Sequence, residues 1–271
     1  MRAKAGCKIN IGLDVLRRRA DGYHDIATVM YPVRGLYDEI EVVPCASGLR
    51  FVQNGIAVDC ADEQNLCVRA YRLMQERLGI GGAEIRLDKR IPFGAGLGGG
   101  SSDATTTLLL LNRVFDLGLS EPQLLEMAAS LGSDTPFFVR NTPQLCSGRG
   151  EILSPIALPL GGMYLIILKP SEGVSTREAY GGVRPAMPAQ PLAEALQRPV
   201  GQWRECVKND FEPHVFAAHP LIARLKQHLY DCGAEYASMS GSGSAVFGIF
   251  AEPPHVELPF ENIFIHTEQL L

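Results

Sequence analysis

The chain has 271 residues, enough for one large domain or two modest ones with filled cores. Hydrophobic residues make up 46% and charged residues 20%, a balance that excludes a disordered chain. The net charge is −5 and the longest basic run is Arg17-Arg18-Arg19, so a general nucleic-acid surface is excluded too.

The N-terminal stretch carries Arg2, Lys4 and Lys8 without a long apolar core, unlike a signal peptide. The apolar runs Leu108–Leu111 and Met163–Leu168 are too short to span a bilayer. The expectation is a cytoplasmic protein with no membrane partner. Seven cysteines (Cys7, Cys45, Cys60, Cys67, Cys146, Cys206, Cys232) are scattered and never form C-x-x-C, which points to reduced thiols. No H-E-x-x-H occurs, and no residue is assigned as a metal ligand.

Alternation predicts strands over Lys8–Val15, His24–Val33, Glu39–Val43 and Ala83–Leu87. Helical spacing runs over Glu63–Leu78, which stops at Gly79. Two further helices are predicted over Leu108–Leu117 and Pro122–Leu131, the second entered through Ser120. Phe137–Val139 and Met163–Leu168 read as buried strands, with a boundary near residue 155 between them. This gives domains over 1–154 and 155–271. Beyond a proline-rich stretch at 185–199, helices are expected at Gln202–Val207 and Leu221–Tyr230. Strands at Glu235–Met239 and Ala245–Phe250 flank Ser240-Gly241-Ser242-Gly243-Ser244. Strict β-α-β alternation is missing, so the fold class is α+β in two associated halves.

The most informative segment is Ile91-Pro92-Phe93-Gly94-Ala95-Gly96-Leu97-Gly98-Gly99-Gly100-Ser101-Ser102-Asp103-Ala104. A glycine-rich loop that feeds a helix N-terminus presents unpaired N–H groups to one point, with the positive end of the helix dipole behind them. That arrangement suits a polyphosphate. It is neither G-x-x-x-x-G-K-[ST] nor a clean dinucleotide fingerprint. A flexible linker seldom ends in a serine pair and a leucine run.

The loop has companions. Lys8-Ile9-Asn10-Ile11-Gly12-Leu13, Pro92–Ala104 and Ser238–Ser244 occur in the order of three motifs of the GHMP kinase superfamily (galactokinase, homoserine kinase, mevalonate kinase, phosphomevalonate kinase), which the chain resembles from residue 8 to about 250. Arg19-Ala20-Asp21-Gly22-Tyr23-His24 and Leu131-Gly132-Ser133-Asp134-Thr135-Pro136 are similar to one branch of that superfamily. The resemblance implies an N-terminal half like ribosomal S5 domain 2 and a ferredoxin-like C-terminal half. It also implies ATP and Mg²⁺ as cofactors. The expected acceptor is a small molecule, 4-diphosphocytidyl-2-C-methylerythritol, phosphorylated on its 2-hydroxyl for isoprenoid synthesis. The expected assembly is a monomer or homodimer. The competing readings are another small-alcohol kinase of the superfamily, such as homoserine kinase, and a non-catalytic nucleotide-binding regulator.

Residue roles follow the resemblance. Asp134 is the expected base, although Asp before Thr-Pro also suits a turn or cap. Lys8 is its expected partner, sharing a strand face with Asn10, although a solvated edge lysine is the usual case. Pro92, Gly94, Gly96, Leu97, Gly98, Gly99, Gly100, Ser101 and Ser102 are expected at the nucleotide phosphates. Asn65 is expected near the adenine, or simply as an N-cap. Asn10, Tyr23, His24, Thr176 and Tyr180 are expected at the acceptor, Tyr180 stacking on cytosine. Gly241 and Ser242 support the acceptor or the phosphates, or merely form a tight hairpin.

Overall fold

The computed structural model describes residues 1–57 and 61–270. Cys60 lies outside them, and the other six cysteines form no disulfide among the described residues. The chain divides into two compact units. One gathers Met1–Lys8, Pro32–Phe93 and Gly98–Thr142; the other gathers Ile9–Tyr31, Gly94–Leu97 and Pro143–Leu271. This differs from a single cut between residues 154 and 155. Strands β1 (Arg2–Arg18) and β2 (His24–Cys45) are both long enough to contribute one end to each unit.

In the first unit, Glu39–Cys45 of β2 pairs antiparallel with β4 (Gly82–Lys89). The parallel neighbour of β4 is β3 (Leu49–Gly55). In chain order the elements after β2 are β3, α1 (Leu66–Leu78), β4, α2 (Gly99–Val114), α3 (Glu121–Leu131) and α4 (Thr135–Arg140). Ile40, Val42, Ile85 and Leu87 of the strands pack against Ala70, Met74, Leu108, Leu111 and Met127 of the helices. The α1 boundaries match local signals: Asn65 Oδ1 accepts from Cys67 N at 2.9 Å, and Gly79 adopts φ 65° while donating to Gln75 O. At α3, Ser120 N donates to Gln123 Oε1 at 2.9 Å, half of a capping box.

One expectation shifts here and another fails. The helix expected from Leu108 begins at Gly99, so the end of the glycine loop is already helical. Phe137–Val139 is helix, not strand: three apolar residues carry no period, and Pro136 in the first turn fixes a helical φ. Asn141 closes that turn at φ 51°.

In the second unit, Thr28–Met30 of β2 pairs with β5 (Gln144–Ser147), which pairs with β6 (Ile152–Pro155). After β7 (Tyr164–Pro170) come five helices: α5 (Thr176–Gly181), α6 (Leu192–Ala195), α7 (Trp203–Cys206), α8 (Glu212–Ala218) and α9 (Pro220–Asp231). The last strands are β8 (Tyr236–Met239), β9 (Val246–Phe250) and β10 (Ile263–Gln269). They form an antiparallel sheet of order β10-β7-β9-β8. Ile222, Leu225 and Leu229 of α9 pack on Ile166, Leu168, Ala237 and Val246. The sequence reading passed over β10, whose apolar positions are only partly covered. No helix of the described residues is long and apolar enough to cross a membrane.

Candidate active site

In the loop that precedes α2, Gly94, Gly96 and Gly98 adopt φ of 62°, 72° and 68°. This is the left-handed region, where a Cβ is strained. Leu97 is buried and Pro92 half-buried, so Leu97 anchors the loop while its backbone turns. At the α2 N-terminus no side chain caps the helix. The first helical bond runs from Ser102 N to Gly98 O at 2.9 Å, leaving the N–H groups of Gly99, Gly100 and Ser101 without helical acceptors. Uncapped amides at the positive end of a sixteen-residue helix are the geometry that suits an anion. Ser101 Oγ makes no hydrogen bond among the described residues, whereas Ser102 is buried.

The first unit also brings Lys8 and Asp134 together. Lys8 Nζ lies 3.4 Å from Asp134 Oδ2, with the lysine side chain 3% and the carboxylate 33% exposed. Lys8 is therefore no solvated edge charge. Asp134 occupies the N-cap position of α4, yet its side chain makes no capping bond. Its carboxylate is turned to the lysine instead. A Cβ on Gly98 would meet Lys8 Cγ and Cε at 3.1 Å, so the loop's backbone passes directly over the lysine stem. Asn65 is engaged as the α1 cap, with Nδ2 donating to Gln53 Oε1 at 3.3 Å.

In the second unit, the Ser240–Ser244 turn grips Gly94–Leu97. Ser240 Oγ donates to Gly96 O at 2.9 Å, Ala245 N to Ala95 O at 3.1 Å and Ser244 N to Gly94 O at 3.3 Å. Asn209 Nδ2 holds the turn from below, donating to Met239 O and Gly241 O, both at 2.8 Å. Gly241 is buried at φ 55° and Ser242 half-buried. The turn is thus a brace for the glycine loop rather than an isolated hairpin. A Cβ on Gly96 would sit 1.9 Å from Ser240 O, while one on Gly22 (φ 85°) would meet nothing within 4 Å. We predict that Gly96→Ala costs on the order of 3 kcal/mol and Gly22→Ala about 1 kcal/mol in urea denaturation. Equal losses would show that the close approach is unimportant.

Asn10 in this unit is bound on two sides: its N donates to Ser240 Oγ at 3.1 Å and its Nδ2 to Thr28 Oγ1 at 3.0 Å. The rings of His24 and Tyr180 stack at 4.8 Å and 20°, and Tyr180 meets Phe211 edge-on at 4.8 Å. Burial, with Arg18 adding to it, holds the His24 pKa below the ordinary histidine value. Tyr23 is not part of the stack; the residue is 54% exposed, with the Arg149 guanidinium 4.8 Å from its ring centre. Thr176 is exposed at the start of α5, which Ser175 caps by accepting from Glu178 N at 3.1 Å. His219 fixes the same helix, its ring nitrogens 2.7 Å from Glu178 and 3.0 Å from Glu172. Those carboxylates, Glu178 foremost, raise its pKa.

Sequence reasoning assigned no role to three buried charges of the first unit. Lys89 Nζ donates to Asp103 Oδ2 at 2.8 Å and to Asp38 Oδ2. Asp38 Oδ1 also accepts from Arg90 N at 2.5 Å and Ile91 N at 2.8 Å. A signal was present: Asp38 continues the buried positions Leu36, Ile40 and Val42, and Lys89 those of Ala83, Ile85 and Leu87. Burial pushes the Asp103 pKa up against the pull of Lys89. Burial pulls the Lys89 pKa down, but Asp103 and Asp38 outweigh it and the net direction is upward.

Known proteins share this architecture. Residues 65–141 match the GHMP kinases N terminal domain and residues 192–259 the GHMP kinases C terminal domain. A 4-diphosphocytidyl-2-C-methyl-D-erythritol kinase of Parabacteroides distasonis is 45% identical over 265 residues, covering 97% of each chain. The kinase of the same name from Bacteroides thetaiotaomicron is 48% identical, over 90% of this chain and 89% of its own. A crystal structure of a 4-(cytidine 5'-diphospho)-2C-methyl-D-erythritol kinase superposes with a TM-score of 0.76 at 36% identity, over 92% of this chain and 90% of its own. With its uncapped glycine loop, its lysine–aspartate pair and these likenesses, the chain belongs to the 4-diphosphocytidyl-2-C-methyl-D-erythritol kinase family of GHMP kinases.

Proposed function

We propose that this enzyme transfers the γ-phosphoryl group of ATP to the 2-hydroxyl of 4-diphosphocytidyl-2-C-methylerythritol, a step toward isoprenoid precursors. The observation that carries the reading is the Lys8–Asp134 pair, with a carboxylate one-third exposed that does no capping. In phosphoryl transfer the protein's tasks are alignment, charge stabilisation and removal of the hydroxyl proton. Asp134 takes that proton at its carboxylate. Lys8 lowers the cost of charge that develops on the acceptor oxygen. The N–H groups of Gly99, Gly100 and Ser101 bind phosphate oxygens at the start of α2.

Among the described residues no group of three or more His, Cys, Asp and Glu is clustered for a metal. Hydroxyl donors suit Mg²⁺, a hard cation that keeps most of its water and phosphate ligands. The open Ser101 hydroxyl is the residue that fits it. Bound there, Mg²⁺ would neutralise phosphate charge.

For the acceptor, the Tyr180 ring offers cytosine a flat face. Its other neighbour, His24, is already in van der Waals contact, so the base stacks outside that pair rather than between the rings. Tyr180→Ala is expected to raise acceptor KM about tenfold and change kcat less than twofold. Steady-state kinetics in both substrates reads this; an effect confined to ATP would refute the stacking role.

The reading itself is tested by ADP release from Mg-ATP with four acceptors: 4-diphosphocytidyl-2-C-methylerythritol, homoserine, mevalonate and galactose. Turnover with the cytidyl compound alone is expected. Turnover with another acceptor would keep the kinase and discard the cytosine site. ATP binding without any turnover would favour a regulator.

A further inference from the structure

The glycine loop leaves β4 after Lys89 and rejoins regular structure in α2, and both of its stems belong to the first unit. Its two stems meet at one buried cluster. Asp38 holds the outgoing stem by accepting from the backbone of Arg90 and Ile91. Lys89 joins Asp38 to Asp103 on the second turn of α2. The side chains of Asp38, Lys89 and Asp103 are 0%, 3% and 4% exposed. Lys89 Nζ would lie 3.0 Å from a Cβ on Gly99, so the ammonium is pressed against the first turn whose amides face the anion site.

A stability role explains this cluster poorly. Two carboxylates and one ammonium buried together leave an excess negative charge or a shared proton, and apolar side chains of similar volume pack such a site at lower cost. Asp103 Oδ1 is buried with no hydrogen-bond partner, a further cost. What the cluster does supply is directional bonding. Each bond fixes a stem of the loop, and the distance between stems sets where the N–H groups of Gly99, Gly100 and Ser101 point.

We propose that Asp38, Lys89 and Asp103 are positioning residues for the nucleotide: a buried clamp that holds the two stems of the glycine loop at the separation polyphosphate binding requires. The proposal rests on the reading that this loop binds ATP. None of the three touches the phosphates; they act through the loop backbone.

The test is ATP binding, measured by calorimetry without acceptor, on the wild type and on Asp103→Leu and Asp103→Asn. Leucine removes the acceptor for Lys89, while asparagine keeps an oxygen at that place. Asp103→Leu is expected to weaken ATP binding at least tenfold, Asp103→Asn no more than threefold. In turnover assays the loss should appear in KM for ATP, with KM for the acceptor within twofold of wild type. If Asp103→Leu fails to fold by circular dichroism, Asp38→Asn decides. It keeps one acceptor for the Arg90 and Ile91 amides and turns the Lys89 acceptor into a donor, with an expected loss of at least fivefold. A lower Tm with unchanged ATP affinity in the folded variant would overturn the proposal, as would equal losses for both substrates. A wild type that binds no ATP would overturn the functional reading and the clamp together, whereas a binding wild type with indifferent variants overturns the clamp alone.

Discussion

Asp134→Asn is expected to lower kcat about 10³-fold, equivalent to about 4 kcal/mol, while ATP affinity stays within about threefold of wild type. Asparagine matches the shape of aspartate and can hold the same place ahead of α4, but it cannot accept a proton from an alcohol. The competing role for Asp134, capping α4, predicts a different result: a loss of stability of about 1 kcal/mol with little change in rate. The geometry separates the two, because the Asp134 carboxylate makes no bond to the α4 amides and faces Lys8 at 3.4 Å. Asp134→Asn also takes the carboxylate away from the buried Lys8 ammonium, so some stability is lost on either account and the rate is what decides. Rapid-quench kinetics with saturating ATP gives the rate of the chemical step directly. A fall of less than tenfold would remove Asp134 from the role of base.

The second large effect is expected at Lys8. Lys8→Met should lower kcat about 10²-fold or more and leave thermal stability unchanged or slightly raised. Taking an ammonium out of water costs several kcal/mol, and an ion partner one-third exposed to solvent returns only part of that. Methionine fills the same narrow space beneath the Gly98 backbone without the desolvation cost. A lysine kept for stability would show the opposite pattern, with Tm falling and the residual activity of the folded fraction near normal. Calorimetry and kcat on one preparation distinguish the two.

Both residues were legible in the sequence as candidates, and their pairing was not. Lys8 stood in an alternating segment where each residue type has a face, but a face can be wet or dry. Here both sides of β1 are covered between Cys7 and Val15, so the lysine is buried where alternation alone leaves it exposed. Asp134 followed a glycine-serine turn, and local pattern favoured a cap. Only the packing of α4 decided that its carboxylate turns elsewhere. The same limit explains Phe137–Val139, where a three-residue apolar run fits strand and helix equally until Pro136 and the neighbouring α2 select one.

What the sequence determined by itself is whatever local chemistry encodes. The glycines at 94, 96 and 98 specify a left-handed path. Asn65 and Gly79 mark the ends of α1, Ser120 begins α3, and three motifs in order resemble those of the kinase superfamily. Tertiary structure decided which charges meet. Lys8 with Asp134, Lys89 with Asp38 and Asp103, and the Ser240–Ser244 turn against Gly94–Leu97 all join residues far apart in the chain. Such pairings follow from burial, which makes an unpartnered charge or amide costly and so forces each to find a partner that local sequence does not name.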